Sequence, residues 1–212
     1  MKETFLKLPE AKQQKIVRAC IEEFGEYGYE RGSTDRIIKR AGISKGGLYE
    51  YISTKEELFL YTVEYTYREL YGYLERRIRS EQNRFPEDIL ERIWLVSRFA
   101  IDFYIEHPEY IMLIVKVHRL NDKVLEEKVR DCFERHFTDL FGSASADRLK
   151  YDRNSVIDLL MWLLLKTRYE FLSDFEQNKD REEVKKHYLD NWRFYLSVLR
   201  NGIYVQDSAA GN

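Results

Sequence analysis

Residues 32–58 read GSTDRIIKRAGISKGGLYEYISTKEEL, and the fold turns on how this stretch is punctuated. Ser33 or Thr34 offers a hydroxyl that can accept an orphan amide at a helix start. Ile37, Ile38 and Ala41 follow at helical spacing. Gly42 then ends the run, because glycine takes the left-handed backbone of a helix C-terminus at little cost. Ser44 is a second N-cap two residues later and opens a short helix over 44–51, with Leu48 and Ile52 turned inward. Thr54 followed by Glu57 fits a capping box, in which hydroxyl and carboxylate each take up a backbone amide, and a long helix starts there. Two short helices joined by a glycine turn make a helix-turn-helix.

Upstream, Ile16, Val17, Cys20, Ile21 and Phe24 recur with helical periodicity from Pro9, and Gly25 with Gly28 is expected to stop that helix. Downstream, the helix opened by Thr54 runs through Leu58, Tyr61, Tyr65 and Leu70 towards Arg79. Pro86 sits at a first-turn position of a helix reaching about Glu106, where His107-Pro108 breaks it. Further helical patterns cover 109–120, 122–141, 154–177 and 181–201. Residues 142–147 form a small-residue loop, and Asn201-Gly202 suits a helix end. No internal repeat or strand alternation appears. The expectation is an all-α chain of about nine helices: a three-helix head over 1–53, a larger helical body over 54–205 and a mobile tail over 206–212.

Composition agrees with long amphipathic helices: 44% apolar and 34% charged residues with only 3 prolines and 10 glycines in 212 residues. The two cysteines, Cys20 and Cys132, form no disulfide framework and fit a reducing compartment. The N-terminus lacks the pattern of a secretory signal. The longest apolar run, 156–165, contains Asp158 and falls short of the roughly 20 residues that span a bilayer. A cytoplasmic protein with no membrane partner is expected. Net charge is −2, which argues against a general polyanion binder. Residues 1–55 nevertheless hold 11 Lys and Arg against 8 Asp and Glu, so a mildly basic head precedes an acidic body.

The quoted stretch, with Phe24-Gly25 and Gly28-Tyr29 before it, resembles the TetR family. The resemblance runs through the capping Thr34, Ala41-Gly42-Ile43-Ser44, the Gly47-Leu48-Tyr49 step and Lys55-Glu56-Glu57-Leu58. It covers about residues 10–60, roughly a quarter of the chain. Two positions depart from the family's pattern: Ile38, where alanine is usual, and Ile52, where phenylalanine is usual. Glu50 on the reading helix repels phosphate unless it accepts from a cytosine amine.

The residues themselves suit double-stranded DNA. Gly46 and Gly47 would let the helix backbone approach a duplex, although two glycines weaken the helix by up to about 1 kcal/mol each. Lys45 can reach a phosphate or the O6/N7 edge of guanine. Tyr49 and Tyr51 can lie on the sugar-phosphate wall or a thymine methyl, or either could instead plug the core behind the helix. Thr34 and Lys55 stand at helix starts that favour phosphate. The resemblance implies DNA contact at Thr34, Lys45, Gly47, Tyr49, Tyr51 and Lys55. Arg36, Lys39 and Arg40 are read as adding long-range attraction.

The resemblance also implies a ligand-binding and dimerisation body: a regulator, usually a repressor, released from a near-palindromic operator by a small apolar or aromatic effector. Candidate effector contacts are Tyr65, Trp94, Phe99, Phe103, Met112, Phe133, Phe137, Trp162 and Tyr169, each of which could equally be plain core. Leu159, Leu163, Tyr188, Trp192, Tyr195 and Leu199 on the last two helices are candidates for a homodimer interface, with a wholly internal helix as the alternative for 154–177. Cys132 and His136 lie four apart on one helical face, with His118 as a possible third ligand, but two or three such residues make no metal site by themselves and no cofactor is expected. No Gly-x-Ser-x-Gly, phosphate-loop or His-Glu-x-x-His pattern occurs, so no enzyme is expected. The competing reading is a helical interaction or ligand-sequestering module that uses the helix-turn-helix only as scaffold.

Overall fold

The computed structural model describes residues 1–82, 85–118, 120–145, 147–177 and 180–204. Among them it has ten helices and no strand: α1 (Glu3–Leu6), α2 (Glu10–Arg31), α3 (Thr34–Ala41), α4 (Lys45–Tyr51), α5 (Lys55–Gln82), α6 (Ile89–Glu106), α7 (Pro108–Val117), α8 (Lys123–Phe141), α9 (Arg153–Glu176) and α10 (Arg181–Ile203). The all-α expectation holds, with one helix more than the nine anticipated, the single turn α1. The tail expected over 206–212 lies outside the described residues.

The helices form two compact units. The first comprises Met1–Tyr71 and His107–His136, and the second Gly72–Glu106 with the described residues from Phe137 onward. In the first, α2 buries Ile16, Val17, Cys20, Ile21 and Phe24 and packs mainly on α7, whose Ile111, Leu113 and Ile114 are equally buried. Each such side chain removed from water contributes about 1.5–3 kcal/mol.

Gly25 does not stop α2. A Cβ there would sit 3.2 Å from the Glu109 carbonyl oxygen, so the missing side chain lets α7 approach. The break falls at Gly28, whose φ of 72° lies where L side chains are strained.

In the second unit α6 is buried around most of its circumference and packs with α10, which also packs on α9. A helix apolar on all sides belongs at the centre of its layer. Its one buried cation, Arg92, is neutralised by dipoles rather than a carboxylate. It donates to the Pro86 carbonyl (2.7 Å), the Leu140 carbonyl (2.8 Å) and the Ser143 hydroxyl (2.9 Å), and burial pushes its pKa down. Helix α9 is not wholly internal: Leu159 and Trp162 lie exposed on its outer side.

Candidate nucleic-acid interface

The pair α3 and α4 is set by local chemistry. The Ser33 hydroxyl, rather than that of Thr34, caps α3 by accepting from the Arg36 amide, and Thr34 becomes the first helical residue. Gly42 follows with φ 65° and ψ 38°, and the amides of Gly42 and Ile43 close the turn on the carbonyls of Lys39 and Ile38. Ser44 Oγ accepts from the Gly47 amide at 3.0 Å and caps α4. At the head of α5 the hydroxyl half of the expected capping box forms, the Glu57 amide donating to Thr54 Oγ1 at 3.0 Å, while the Glu57 carboxylate takes the amide of Ser53, one residue ahead of the cap, at 2.6 Å.

Behind α4, Leu48 and Ile52 are fully buried, as expected from their spacing. Tyr51 is buried with them, which corrects its assignment to DNA contact. It follows Leu48 by three residues and so shares the inner stripe. Its ring meets Phe5 of α1 edge-on at 6.0 Å, and Lys2 ties α1 down by donating its amide to the Tyr51 carbonyl and its ammonium to the Tyr49 carbonyl, both at 2.9 Å. Phe5 was not anticipated as core; its signal was the apolar cluster Phe5, Leu6 and Leu8 ahead of Pro9.

The outer face of α4 carries the remaining candidates. Lys45 is exposed and its Nζ lies 3.2 Å from Asp35 Oδ1, which sets it beside the first turn of α3 and Thr34. Tyr49 is 43% exposed, the one tyrosine of α4 that a duplex could reach. Gly46 is exposed, and a Cβ built on it would meet nothing within 4 Å, so packing within the chain gives no reason for a glycine. At Gly47 a Cβ would approach Ser44 Oγ to 3.1 Å. Lys55 is half-buried, with its Nζ 4.7 Å above the Tyr29 ring and donating to the Glu30 carbonyl at 3.2 Å. Lys45 and Lys55 therefore converge on the corner between α2 and α3.

Reading the sequence missed the anchor of that corner. Glu23 is fully buried; its Oε1 accepts from the Ser33 amide and from Arg36 Nε, both at 2.8 Å, and Arg40 pairs with neighbouring Glu26 at 2.8 Å. Glu26 is held below the usual carboxylate range by hydrogen bonds from Tyr27 and Arg40. Arg36 and Arg40 thus position α3 on α2, while Lys39 is exposed. A carboxylate in the inward stripe with Ile16 and Cys20 was the visible signal.

The effector candidates divide between the units. Tyr65, Met112 and Phe133 belong to the first; Trp94, Phe99, Phe103, Phe137, Trp162 and Tyr169 belong to the second. Phe133 sits among Tyr67 and Tyr71, Phe103 faces Tyr73 at 5.3 Å, and Phe137 stacks on Phe141 at 4.3 Å. Tyr65, Met112, Trp94 and Tyr169 are half-buried, and Phe99 lies in the core. Trp162 is 59% exposed, so it does not line the interior of its unit. Of the dimer candidates, Leu163, Tyr188 and Trp192 are buried within the second unit, Leu159 is exposed, and Tyr195 and Leu199 are half-exposed. The large apolar side chains that α9 and α10 leave exposed are Leu159 and Trp162 on the one and Phe194 and Val198 on the other. Elsewhere in the first unit, Glu64, Cys132 and His136 bring three potential metal-ligand atoms within 4.8 Å of one another.

A capped, glycine-turned helix pair whose second helix presents a lysine, a bare backbone and a tyrosine outward defines a helix-turn-helix DNA-binding head joined to further helices. Residues 16–62 match the family model described as bacterial regulatory proteins, tetR family. Over 196 residues the chain is 25% identical to the biofilm operon icaADBC negative transcriptional regulator IcaR of Staphylococcus epidermidis, covering 88% of this chain and 98% of that protein. It is 26% identical to the transcriptional repressor NicS of Pseudomonas putida over 102 residues, a match spanning 48% of this chain and only about half (46%) of NicS. The fold is shared with the transcriptional regulator FadR from Bacillus subtilis, solved with stearoyl-CoA, at a TM-score of 0.66 and 15% identity over 84% of this chain and 96% of that one. The match to the tetR family model is confined to the head, and the body resembles those regulators in fold. No described helix is long and apolar enough to cross a membrane.

Proposed function

We propose that this protein is a ligand-responsive, DNA-binding transcriptional repressor that acts as a homodimer in the cytoplasm, with 1–53 as reading head and 54–205 as effector and dimerisation body. One observation carries the reading. The inner side of α4 is locked by Leu48, Tyr51 and Ile52, while Lys45, Gly46 and Tyr49 stand open on the other side with no packing role to explain them. A helix of this kind enters the major groove, Lys45 reads a base edge or phosphate, and Thr34 and Lys55 take phosphates at the starts of α3 and α5. The similarity to NicS, a transcriptional repressor, and to IcaR, a negative transcriptional regulator, favours repression.

Two copies would join through the outer faces of α9 and α10, with Leu159, Trp162, Phe194 and Val198 covered and Tyr195 and Leu199 at the margin. Such a dimer places two reading helices in successive major grooves of a near-palindromic site. The effector is a small molecule with an apolar body and a hydrogen-bonding group. The FadR complex with stearoyl-CoA supports an amphiphile. So does the Ser97 hydroxyl, buried in the second unit without a hydrogen-bond partner, whereas the Tyr188 hydroxyl is within hydrogen-bonding reach of Trp192 and Thr167. A buried polar group left so costs about 1–3 kcal/mol, which a ligand's polar group would recover. Effector binding then biases a two-state equilibrium of α5, the helix that follows the head.

The experiment is selection of bound duplexes from a random pool by the purified protein, followed by a compound screen for release. A near-palindromic consensus released by an amphiphile supports the proposal. Uniform binding of all sequences, or none, would leave the helix-turn-helix as scaffold for a ligand-sequestering module.

A further inference from the structure

We infer that Glu64 of α5 with Cys132 and His136 of α8 forms a binding site for one borderline-soft divalent cation, zinc in the first place. Cys132 and His136 project from successive turns of α8, and Glu64 faces both. Cys132 Sγ lies 2.9 Å from Glu64 Oε2, and His136 Nε2 lies 3.0 Å from Glu64 Oε1. All three donor atoms fall within 4.8 Å of one another. Tetrahedral zinc, with bonds of about 2.0–2.3 Å, holds its ligand atoms roughly 3.4–3.6 Å apart. Shifts of about 1 Å, within reach of side-chain rotation, therefore convert the hydrogen-bonded cluster into three legs of a tetrahedron.

The remaining features suit an ion better than a structural hydrogen-bond cluster. The His136 ring is held flat against Tyr71, 5.5 Å between centroids and 15° between planes, so Nε2 is aimed before any ion arrives. Cys132 is buried while its sulfur still faces the carboxylate. A thiolate, an imidazole and a carboxylate select zinc or cobalt over magnesium or calcium, which take oxygen ligands. The charges close: the dication meets one carboxylate and one thiolate, and the thiol proton leaves to solvent as the metal–sulfur bond forms. A groove over the cluster, lined among others by Met1, Tyr61 and Lys128, leaves room for a water as fourth ligand. Arg135 competes for the site, because its guanidinium lies 2.9 Å from Glu64 Oε2, but that side chain is 69% exposed and can swing into water. His118, the third ligand suggested by sequence alone, instead places its ring against the edge of Phe133.

The test uses the full chain, stripped with chelator, titrated with cobalt(II) and then with zinc(II) against a fluorescent zinc indicator. Wild type should take one equivalent per chain, with a thiolate-to-cobalt charge-transfer band and the intense visible bands of four-coordinate cobalt, both abolished by zinc. Cys132→Ser should lose the charge-transfer band. Cys132→Ser, Glu64→Gln and His136→Gln should each weaken zinc by more than about 100-fold, beyond the roughly 10–100-fold cost of losing an outer-shell partner. Arg135→Gln should tighten binding, a change that a plain ion-pair network would not produce. Cys20→Ser should keep the charge-transfer band, and circular dichroism of every variant separates lost ligation from lost folding. Wild type that takes up neither ion, or a band that survives Cys132→Ser and vanishes in Cys20→Ser, overturns the site.

Discussion

Gly46→Ala should make the protein more stable and a poorer DNA binder, and the opposite signs test the proposed docking of α4. Within the chain a methyl at this position meets no heavy atom within 4 Å, and the residue has none of the positive φ that requires glycine at Gly28 and Gly42. The substitution therefore carries only the helix-propensity gain, up to about 1 kcal/mol in a helix interior and about half that in the first turn. At roughly 2–4 °C per kcal/mol for a chain of this size, the melting temperature should rise by about 1–2 °C. On DNA the same methyl occupies the space between backbone and duplex. Overpacking a tight contact costs about 1–3 kcal/mol, or roughly 5- to 150-fold in Kd. Calorimetry and fluorescence anisotropy on the selected duplex read the two effects separately. A stabilised variant that binds the duplex as tightly as wild type would show that Gly46 does not face DNA closely, and the docking would be wrong.

The two tyrosines of α4 should behave differently: Tyr51→Ala should cost about 3 kcal/mol of stability by emptying the space against Phe5, whereas Tyr49→Ala should stay within about 0.5 kcal/mol yet weaken operator binding, with paired melts and binding curves as the check. Burial, partly offset by a hydrogen bond from Thr62 and aided by the charge of Glu23, pushes the Cys20 thiol up from 9.0 to about 12. A raised folded value means that its contribution to stability is complete below pH 9 and is lost as the pH climbs towards 12. Urea titrations over that range should therefore fall more steeply for wild type than for Cys20→Ala, and equal slopes would contradict the burial. Charge placed on the exposed apolar side chains of α9 and α10, as in Trp162→Glu with Phe194→Glu, should yield monomers in analytical ultracentrifugation with an unchanged helical spectrum, whereas Leu163→Glu should unfold the second unit, since Leu163 lies in its core.

What could be read from the chain was local. Ser44, Thr54 with Glu57, and Gly42 act on amides and dihedrals within a few residues of themselves, so their capping and turning were legible without tertiary information. Gly25 was misread because its reason is the carbonyl of Glu109, supplied by a helix distant in sequence. Tyr51 was placed on the DNA face for a similar reason: nothing near it announces that Phe5 will fold back beneath α4. Glu23 showed as a carboxylate in an apolar stripe, but its partners, the Ser33 amide and Arg36, become visible only when α3 docks. On α9 and α10 the apolar residues occupy more than one stripe. Periodicity alone could not tell that Leu163, Tyr188 and Trp192 look inward while Trp162, Phe194 and Val198 look out. The metal-ligand geometry was half visible, as the i, i+4 spacing of Cys132 and His136, and needed α5 to bring Glu64.

The most direct measurement is the salt dependence of binding to the selected duplex for wild type and Lys45→Ala, followed by anisotropy alongside a scrambled duplex of equal length. The proposed repressor should prefer the selected site by at least about 1000-fold and lose affinity steeply with added salt. Lys45→Ala removes one cation from each half-site, so it should flatten that slope by about one unit per half-site, roughly two for the dimer, and relax the preference at one position of each half-site. Equal, salt-insensitive affinity for both duplexes, unchanged by the substitution, would contradict the claim that α4 reads DNA.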